Sequence, residues 1–390
     1  MPPEKTTSNQ LLKSINQQKV LRLIYMEGPI SRVELAEKTG LTQQTITNIV
    51  NRLLNEDIVL EMEPVTRGGG RKPVPLVVNG TRMYAIGIEV ATKYIRGSLV
   101  DFHNNLVKQA TEHVPVYKGA EQPLEYICKV IDELMKHLPD PLRLMGIGCS
   151  IQGMVDSKQG VVIYSAGLGW RMFPVGERLE RKYGLPVYVE NDANLLSIVE
   201  NLRGHLAGSQ HNITLKFDYG IGGAIVLNKQ LVTGSTHVAG EFGHYKAISG
   251  ERARSCHCGG KGCLTTVAST SSLKRHGGLT VEELRERVSA NEPEAVAMWG
   301  EMVDAIGRAV GNLVTIFNPD HLLLTGKLTD TMQSFLLPEL RKFIRECVPE
   351  SCRGVHMIHL PETPDESVTA CGLVMNHYFD IPIESLHVYR

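Results

Sequence analysis

Residues 31–54 read SRVELAEKTGLTQQTITNIVNRLL, from Ser31 to Leu54, and this stretch decides the first domain. Ser31 stands three residues before Glu34, the spacing of a capping box in which each side chain satisfies the other's backbone N–H. A short helix is therefore predicted through Lys38, and Gly40 breaks it. Thr42 can cap a second helix, whose Ile46, Ile49, Val50, Leu53 and Leu54 fall on one apolar stripe. Two short helices joined by a tight glycine-containing turn form a helix-turn-helix, with small Ala36 and core Ile46 and Ile49 where the pair must pack closely. Upstream, Val20, Leu21, Leu23 and Ile24 recur at helical spacing until Gly28-Pro29 ends the pattern.

The helix face opposite the stripe presents Gln43, Gln44, Thr45, Thr47 and Asn48. Such side chains can donate to and accept from base edges, and Gln or Asn can pair in bidentate fashion with adenine in the major groove. Any solvated helix face can carry the same residues, so the downstream segment weighs in. Ile58 to Met62 reads as a strand, Pro64 to Lys72 as a loop and Pro75 to Val78 as a returning strand. In the loop, Gly68, Gly69 and Gly70 allow the backbone close to a duplex, while Arg67, Arg71 and Lys72 can neutralise phosphates or enter a minor groove. A flexible basic linker would have the same composition. The order of helices and loop favours a winged helix-turn-helix that binds double-stranded DNA.

With 390 residues, 42% hydrophobic and 21% charged, the chain is an ordinary globular one with room for two or three domains. Lys and Arg total 41 against 42 Asp and Glu, so affinity for nucleic acid must come from a local surface. Residues 1–82 hold 11 basic and 8 acidic side chains, leaving 30 against 34 for the remainder, an asymmetry that permits a DNA-binding head. No apolar run approaches the roughly 18 residues of a membrane helix, and Met1 to Gln10 is polar, so the expected location is cytoplasmic. Eight cysteines are too few for a disulfide scaffold, and the clustering of Cys256, Cys258 and Cys263 points to a metal.

From Tyr84 short apolar strands alternate with amphipathic helices, the pattern of an α/β domain. Ala85 to Val90, Ile95 to Asp101 and Leu106 to Val114 form a predicted three-strand meander, followed by a helix with Leu124, Ile127, Ile131, Leu134 and Leu138 on one face. Leu144 to Cys149 and Val187 to Val189 are further strands, and Met302, Ile306, Val310, Leu313 and Ile316 mark a long helix before the strand His321 to Leu324. Several runs carry more information than periodicity: GIGCSIQG at Gly146 to Gly153, LGW at Leu168 to Trp170, LPVYVENDAN at Leu185 to Asn194, AGEFGH at Ala239 to His244 and CHCGGKGCL at Cys256 to Leu264. In this order they resemble the ROK family of repressors and sugar kinases. With the winged head in front, the chain from about residue 14 onward is similar to the NagC/Mlc/XylR type of repressor.

Cys256, Cys258 and Cys263 offer three soft ligands for a tetrahedral zinc site, and His244 and His257 are the candidates for the fourth. The resemblance implies His244, in a closed structural site. It likewise implies that Asn191, Asp192, Glu241 and His244 contact a sugar, Asp192 being where the kinases place a general base. Asp192 can equally be a helix cap. Two departures bear on the ligand: the family's glutamate after Cys-Leu is Thr265, and an asparagine expected before Leu168 is Gly167. The kinases' first phosphate motif, Asp-x-Gly-Gly-Thr, corresponds to Glu89 to Lys93, where Ala91 and Thr92 replace both glycines. The second survives in part at Gly220 to Gly223, but Asp218 and Tyr219 stand in its first half, where an acid repels phosphate.

The resemblance therefore implies an α/β chain with an N-terminal winged helix-turn-helix and an actin-like (ribonuclease H-like) two-lobe domain. The expected division is a head over residues 1–82, a first lobe over 83–190 joined by a C-terminal helix in 369–390, and a second lobe with the zinc site over 191–368. The expected function is a repressor that is not an enzyme, bound to operator DNA as a homo-oligomer and responsive to a sugar or sugar phosphate. A sugar kinase with a DNA-binding head, and a lobe that binds a transport protein, are the alternatives.

Overall fold

A computed structural model describes residues 8–63, 74–114, 117–361 and 364–379. The head begins with α1 (Ser8–Glu27), β1 (Ile30–Ser31), α2 (Arg32–Thr39) and α3 (Gln43–Asn55), followed by β2 (Val59–Glu61) and β3 (Pro75–Val78). Strand β3 pairs antiparallel with both β1 and β2. The capping box is present: Glu34 donates its N–H to Ser31 Oγ at 3.3 Å, and Ser31 donates its N–H to Glu34 Oε2 at 2.8 Å. Gly40 ends α2 in the left-handed conformation, φ 71°, and Thr42 caps α3 by accepting the Thr45 N–H. Ile46, Ile49, Val50 and Leu53 are buried, whereas Leu54 is half-buried at the stripe's margin. The wing residues Arg67, Gly68, Gly69, Gly70, Arg71 and Lys72 lie outside the described residues.

One strand topology occurs twice in the rest of the chain. In the first lobe β4 (Tyr84–Val90), β5 (Tyr94–Asp101) and β6 (Leu106–His113) form the antiparallel meander; after α4 (Gln122–Met135), β7 (Leu144–Ile151) pairs parallel with β4. A small sheet of β8 (Met154–Asp156), β9 (Val161–Ser165) and β10 (Trp170–Phe173) and helix α5 (Val175–Tyr183) precede β11 (Val187–Asn191), parallel to β7. The second lobe starts with α6 (Asp192–Arg203) and repeats the meander as β12 (His211–Phe217), β13 (Ile221–Leu227) and β14 (Gln230–Leu231). Short helices α7 (Thr265–Ala268) and α8 (Thr270–Ser272), then α9 (Val281–Ser289) and α10 (Pro293–Phe317), lead to β15 (His321–Thr325), parallel to β12. Helix α11 (Lys327–Cys347) crosses to β16 (His356–His359), parallel to β15, and α12 (Glu366–Phe379) closes the described chain. Both five-stranded sheets thus place the first strand at the centre, its meander on one side and two parallel strands on the other, which is the duplicated ribonuclease H-like arrangement.

Ile316 departs from the predicted apolar face of α10: it is 71% exposed, because the 3.6-residue period turns the inward row from Val310 and Leu313 onto Val314. The last helix starts at Glu366, three residues before the expected 369, and residues 380–390 lie outside the described set. It packs on the first-lobe sheet. A Cβ added at Gly87 or Gly148 would stand 1.9 Å from the Ser367 or Ala370 carbonyl oxygen, so these glycines let α12 lie directly on the sheet. The far end of α12 meets the head, where the Tyr25 ring lies 5.3 Å from Phe102 and 4.8 Å from Phe379. Val20, Ile24, Leu53, Val100, Val374 and Phe379 all belong to one buried cluster, so head and first lobe share a core. Among the described residues, no helix is long and apolar enough to cross a membrane.

Candidate functional site

On α3 the structure leaves Gln43, Gln44 and Asn48 exposed and Thr45 and Thr47 half-buried. The Gln44 amide donates to Asn48 Oδ1 at 3.3 Å, so one helix face carries two adjacent, pre-aligned amides. The threonines are engaged locally: Thr47 Oγ1 donates to the Gln43 carbonyl at 2.8 Å, and Thr45 Oγ1 lies 2.9 Å from Thr42 Oγ1. The exposed amides are therefore the free hydrogen-bonding groups of the five.

In the second lobe, His244, Cys256, Cys258 and Cys263 each bring one donor atom to within 4.8 Å of the others. His244 Nδ1 faces Cys256 Sγ at 3.6 Å, and Cys258 Sγ faces Cys263 Sγ at 3.6 Å. Three thiols and one imidazole fit a tetrahedral soft-metal site. Lys246 Nζ, 2.9 Å from Cys263 Sγ, supplies charge that favours thiolates. The loop is tight enough that a Cβ at Gly262, where φ is 71°, would meet the Ile248 carbonyl oxygen at 1.8 Å. His257 packs edge-on against His244, ring centroids 5.2 Å apart, and stands outside the four-donor set.

His244 has a second face: Nε2 lies 3.7 Å from Glu241 Oε2. The one imidazole thus joins the metal cluster to Glu241 and, through Asp192, to the polar crevice where Lys216 of the second lobe meets Glu366 of α12. Burial, and then the charge of Asp192, push the Glu241 carboxyl up to about 7. Asp192, the first residue of α6, receives a hydrogen bond from Lys216 Nζ at 3.0 Å. The cap of α6 is Asn191, whose Oδ1 accepts the N–H groups of Ala193 and Asn194 at 2.9 and 3.2 Å while its Nδ2 donates to the Gly153 carbonyl at 2.8 Å. Asp192 is therefore free of capping duty, which Asn191 carries. The two surface hollows described, of about 370 Å³ and 590 Å³, are lined by none of Asn191, Asp192, Glu241 and His244.

Sequence reasoning missed two residues of this crevice. Lys216 lies on β12 and is nearly buried; besides Asp192 it contacts Glu366 Oε1 and has Asp218 Oδ2 at 3.9 Å. Burial pulls its pKa down, but the carboxylates of Asp192, Glu366 and Asp218 outweigh it and hold the ammonium above the ordinary lysine range. Glu366, at the start of α12, is pushed up by burial against the opposing pull of Lys216. The departures at Thr92 and Gly167 prove to be one packing event. A Cβ at Gly167 would stand 2.1 Å from Thr92 Cγ2, so the threonine that replaces a motif glycine occupies the space an asparagine at 167 would need. Thr265 is buried as the first residue of α7.

The model of the ROK family matches residues 85–374, and that of the winged helix-turn-helix DNA-binding family matches residues 13–59. The chain is similar to the xylose repressor of Bacillus subtilis (strain 168), 27% identical over 380 residues that cover 95% of this chain and 97% of the repressor. It is also 27% identical over 379 residues to the DNA-binding transcriptional dual regulator NagC of Escherichia coli (strain K12), covering 91% and 90%. Among solved structures, a ROK family transcriptional regulator described as a homologue of the E. coli MLC protein shares the fold with a TM-score of 0.80, at 23% identity, over 97% of this chain and 100% of that one. Since the matched span of residues 85–374 takes in far more than half of the 390, this chain belongs to the ROK family.

Proposed function

We propose that the chain is a sugar-responsive DNA-binding repressor of carbohydrate genes, with a head in residues 1–82, lobes over 83–190 with 369–390 and over 191–368, and an effector crevice between the lobes. One observation carries this reading: a winged helix-turn-helix with exposed amides on α3 shares a continuous core with ROK lobes in which Ala91 and Thr92 replace the first phosphate-motif glycines. Gln43, Gln44, Thr45, Thr47 and Asn48 read base edges, and Arg67, Arg71 and Lys72 hold phosphates. Asn191, Asp192, Glu241 and His244 face the sugar. One small head makes too few contacts for strong specificity, so the protein acts as a dimer or higher homo-oligomer on a roughly palindromic operator.

The ion suited to His244, Cys256, Cys258 and Cys263 is Zn²⁺, in a structural site that fixes the loop carrying His244. Metal analysis of purified protein should find about one zinc per chain. The repressor reading is tested by mapping chromosomal binding of the full chain, alongside a turnover assay with ATP, Mg²⁺ and a panel of sugars. Occupied sites beside carbohydrate genes and no turnover are the expected results. Silence on every genomic fragment at low ionic strength, or turnover in the ordinary kinase range, would overturn it.

A further inference from the structure

The crevice carries its own cation and its own anion. Lys216, 7% exposed, donates hydrogen bonds to Asp192 at 3.0 Å and to Glu366, and Asp218 lies 3.9 Å away as a third ion-pair partner, so carboxylates from three segments of the chain neutralise that ammonium. Two residues on, Asp218 Oδ1 accepts the backbone N–H of Lys327 at 2.9 Å. Lys327 is the first residue of the 21-residue helix α11, and a long helix's N-terminus is where free N–H groups and aligned peptide dipoles favour an anion. The carboxylate of Asp218 already takes the first of those N–H groups and places a negative charge at that end. The glycine turn Gly220 to Gly223 follows immediately, so the segment shaped for phosphate is flanked by an internal ion pair.

The remaining charges point the same way. Asp192 acts on both Glu241 and Glu366, Glu89 acts on Glu366, and Asp218 acts on Lys216; Lys216 acts on Glu366 and Glu89, and Arg96 on Glu89. Arg96 is itself shared between Glu89 at 3.6 Å and Asp365 at 3.4 Å. An incoming phosphate ester would meet excess negative charge and would have to pull Lys216 from its carboxylates to gain a partner, leaving buried acids uncompensated. A neutral polyol meets no such conflict, because carboxylates accept hydrogen bonds from hydroxyls.

We propose that the crevice admits an unphosphorylated sugar and rejects sugar phosphates, with Asp218 standing as the anion and Lys216 as the counter-cation that a phosphate ester would otherwise bring and require. The proposal rests on the crevice being the effector pocket. It is tested by calorimetric titration of the full-length, metal-replete protein with D-glucose, D-xylose and N-acetyl-D-glucosamine, each against its terminal phosphate ester. At least one neutral sugar is expected to bind, with its phosphate weaker by about 100-fold or more, the scale of like-charge juxtaposition. In Glu366→Gln and, separately, Asp218→Asn, each checked for its fold by circular dichroism, that gap should narrow as Lys216 is released or an anion removed. A phosphate ester that binds the native protein as tightly as its parent sugar overturns the proposal and leaves the pocket reading standing. If no member of any pair binds, the pocket reading fails and takes the proposal with it.

Discussion

Thr92 and Gly167 show how a departure from a family pattern is settled by its neighbour. Because the Thr92 methyl stands 2.1 Å from the place of a Cβ at 167, Gly167→Asn alone should destabilise the chain by about 1–3 kcal/mol through overpacking. Adding Thr92→Gly should recover most of that loss, and urea unfolding of the four members of the cycle measures the coupling. A Gly167→Asn protein as stable as the native one would show that the two sites are independent. On α3, Gln44 and Asn48 form the exposed amide pair. Gln44→Ala should cost about 1–3 kcal/mol at one operator position and relax preference there, read from binding to a set of single-base operator variants; a uniform loss over all variants would mean that Gln44 does not read a base. Glu241, His244 and the three cysteines were legible because they fall in short local motifs. Lys216 was not. It sits in a strand buried along nearly its whole length, where alternation carries no signal, and its partners Asp192 and Glu366 lie 24 and 150 residues away in the chain.

Elements whose limits are set by neighbouring residues follow the sequence closely. The α2 start at the Ser31–Glu34 box, its end at Gly40 and the α3 cap at Thr42 are all local hydrogen-bonding decisions, and each stands where the spacing placed it. Ser31→Ala should therefore lower the head's stability by about 1 kcal/mol, visible as an earlier thermal transition. The start of α12 is local too, since Asp365 Oδ1 accepts the N–H groups of Ser367 and Val368 at 2.9 and 3.2 Å; limits set by tertiary packing are less legible, as the exposure of Ile316 depends on which side of α10 is covered. The cysteine loop is an extreme case of the second kind. It has no regular secondary structure across Cys256 to Cys263, and the few backbone bonds that close it include Cys256 N–H to the Gly260 carbonyl at 2.8 Å and Gly259 N–H to the Cys256 carbonyl at 3.1 Å. A metal held by the four donors would tie such a loop together. Cys258→Ala should thus reduce bound metal to below about a tenth of an equivalent and weaken sugar binding through His244, while operator binding in the absence of sugar persists. Full metal content in this variant would remove Cys258 from the ligand set.

At the scale of the molecule, α12 runs from the crevice to the head. Its first residue, Glu366, meets Lys216; its last, Phe379, packs on the rings of Tyr25 and Phe102; and Gly87 and Gly148 seat its middle on the first-lobe sheet. Fourteen residues at 1.5 Å per residue give a rod of about 21 Å, long enough to carry a displacement from pocket to head within one rigid element. The duplicated topology could be read from resemblance, but this connection could not, because it depends on Lys216 meeting Glu366 at one end of α12 and on Tyr25 and Phe102 meeting Phe379 at the other. A sugar that engages Asp192 competes with Lys216 for the same carboxylate, which changes what Lys216 offers Glu366 and so the seating of α12. Coupling between sites is typically 5- to 150-fold in affinity and is reciprocal, so the sugar's effect on operator binding must equal the operator's effect on sugar binding. Phe379→Leu keeps an apolar side chain at the head contact while removing the ring stack. It should leave the affinity for sugar alone unchanged and shrink both coupling factors by the same amount, measured by operator titrations with and without sugar and sugar titrations with and without operator. Undiminished coupling in a folded Phe379→Leu protein would show that the signal reaches the head by a route other than α12.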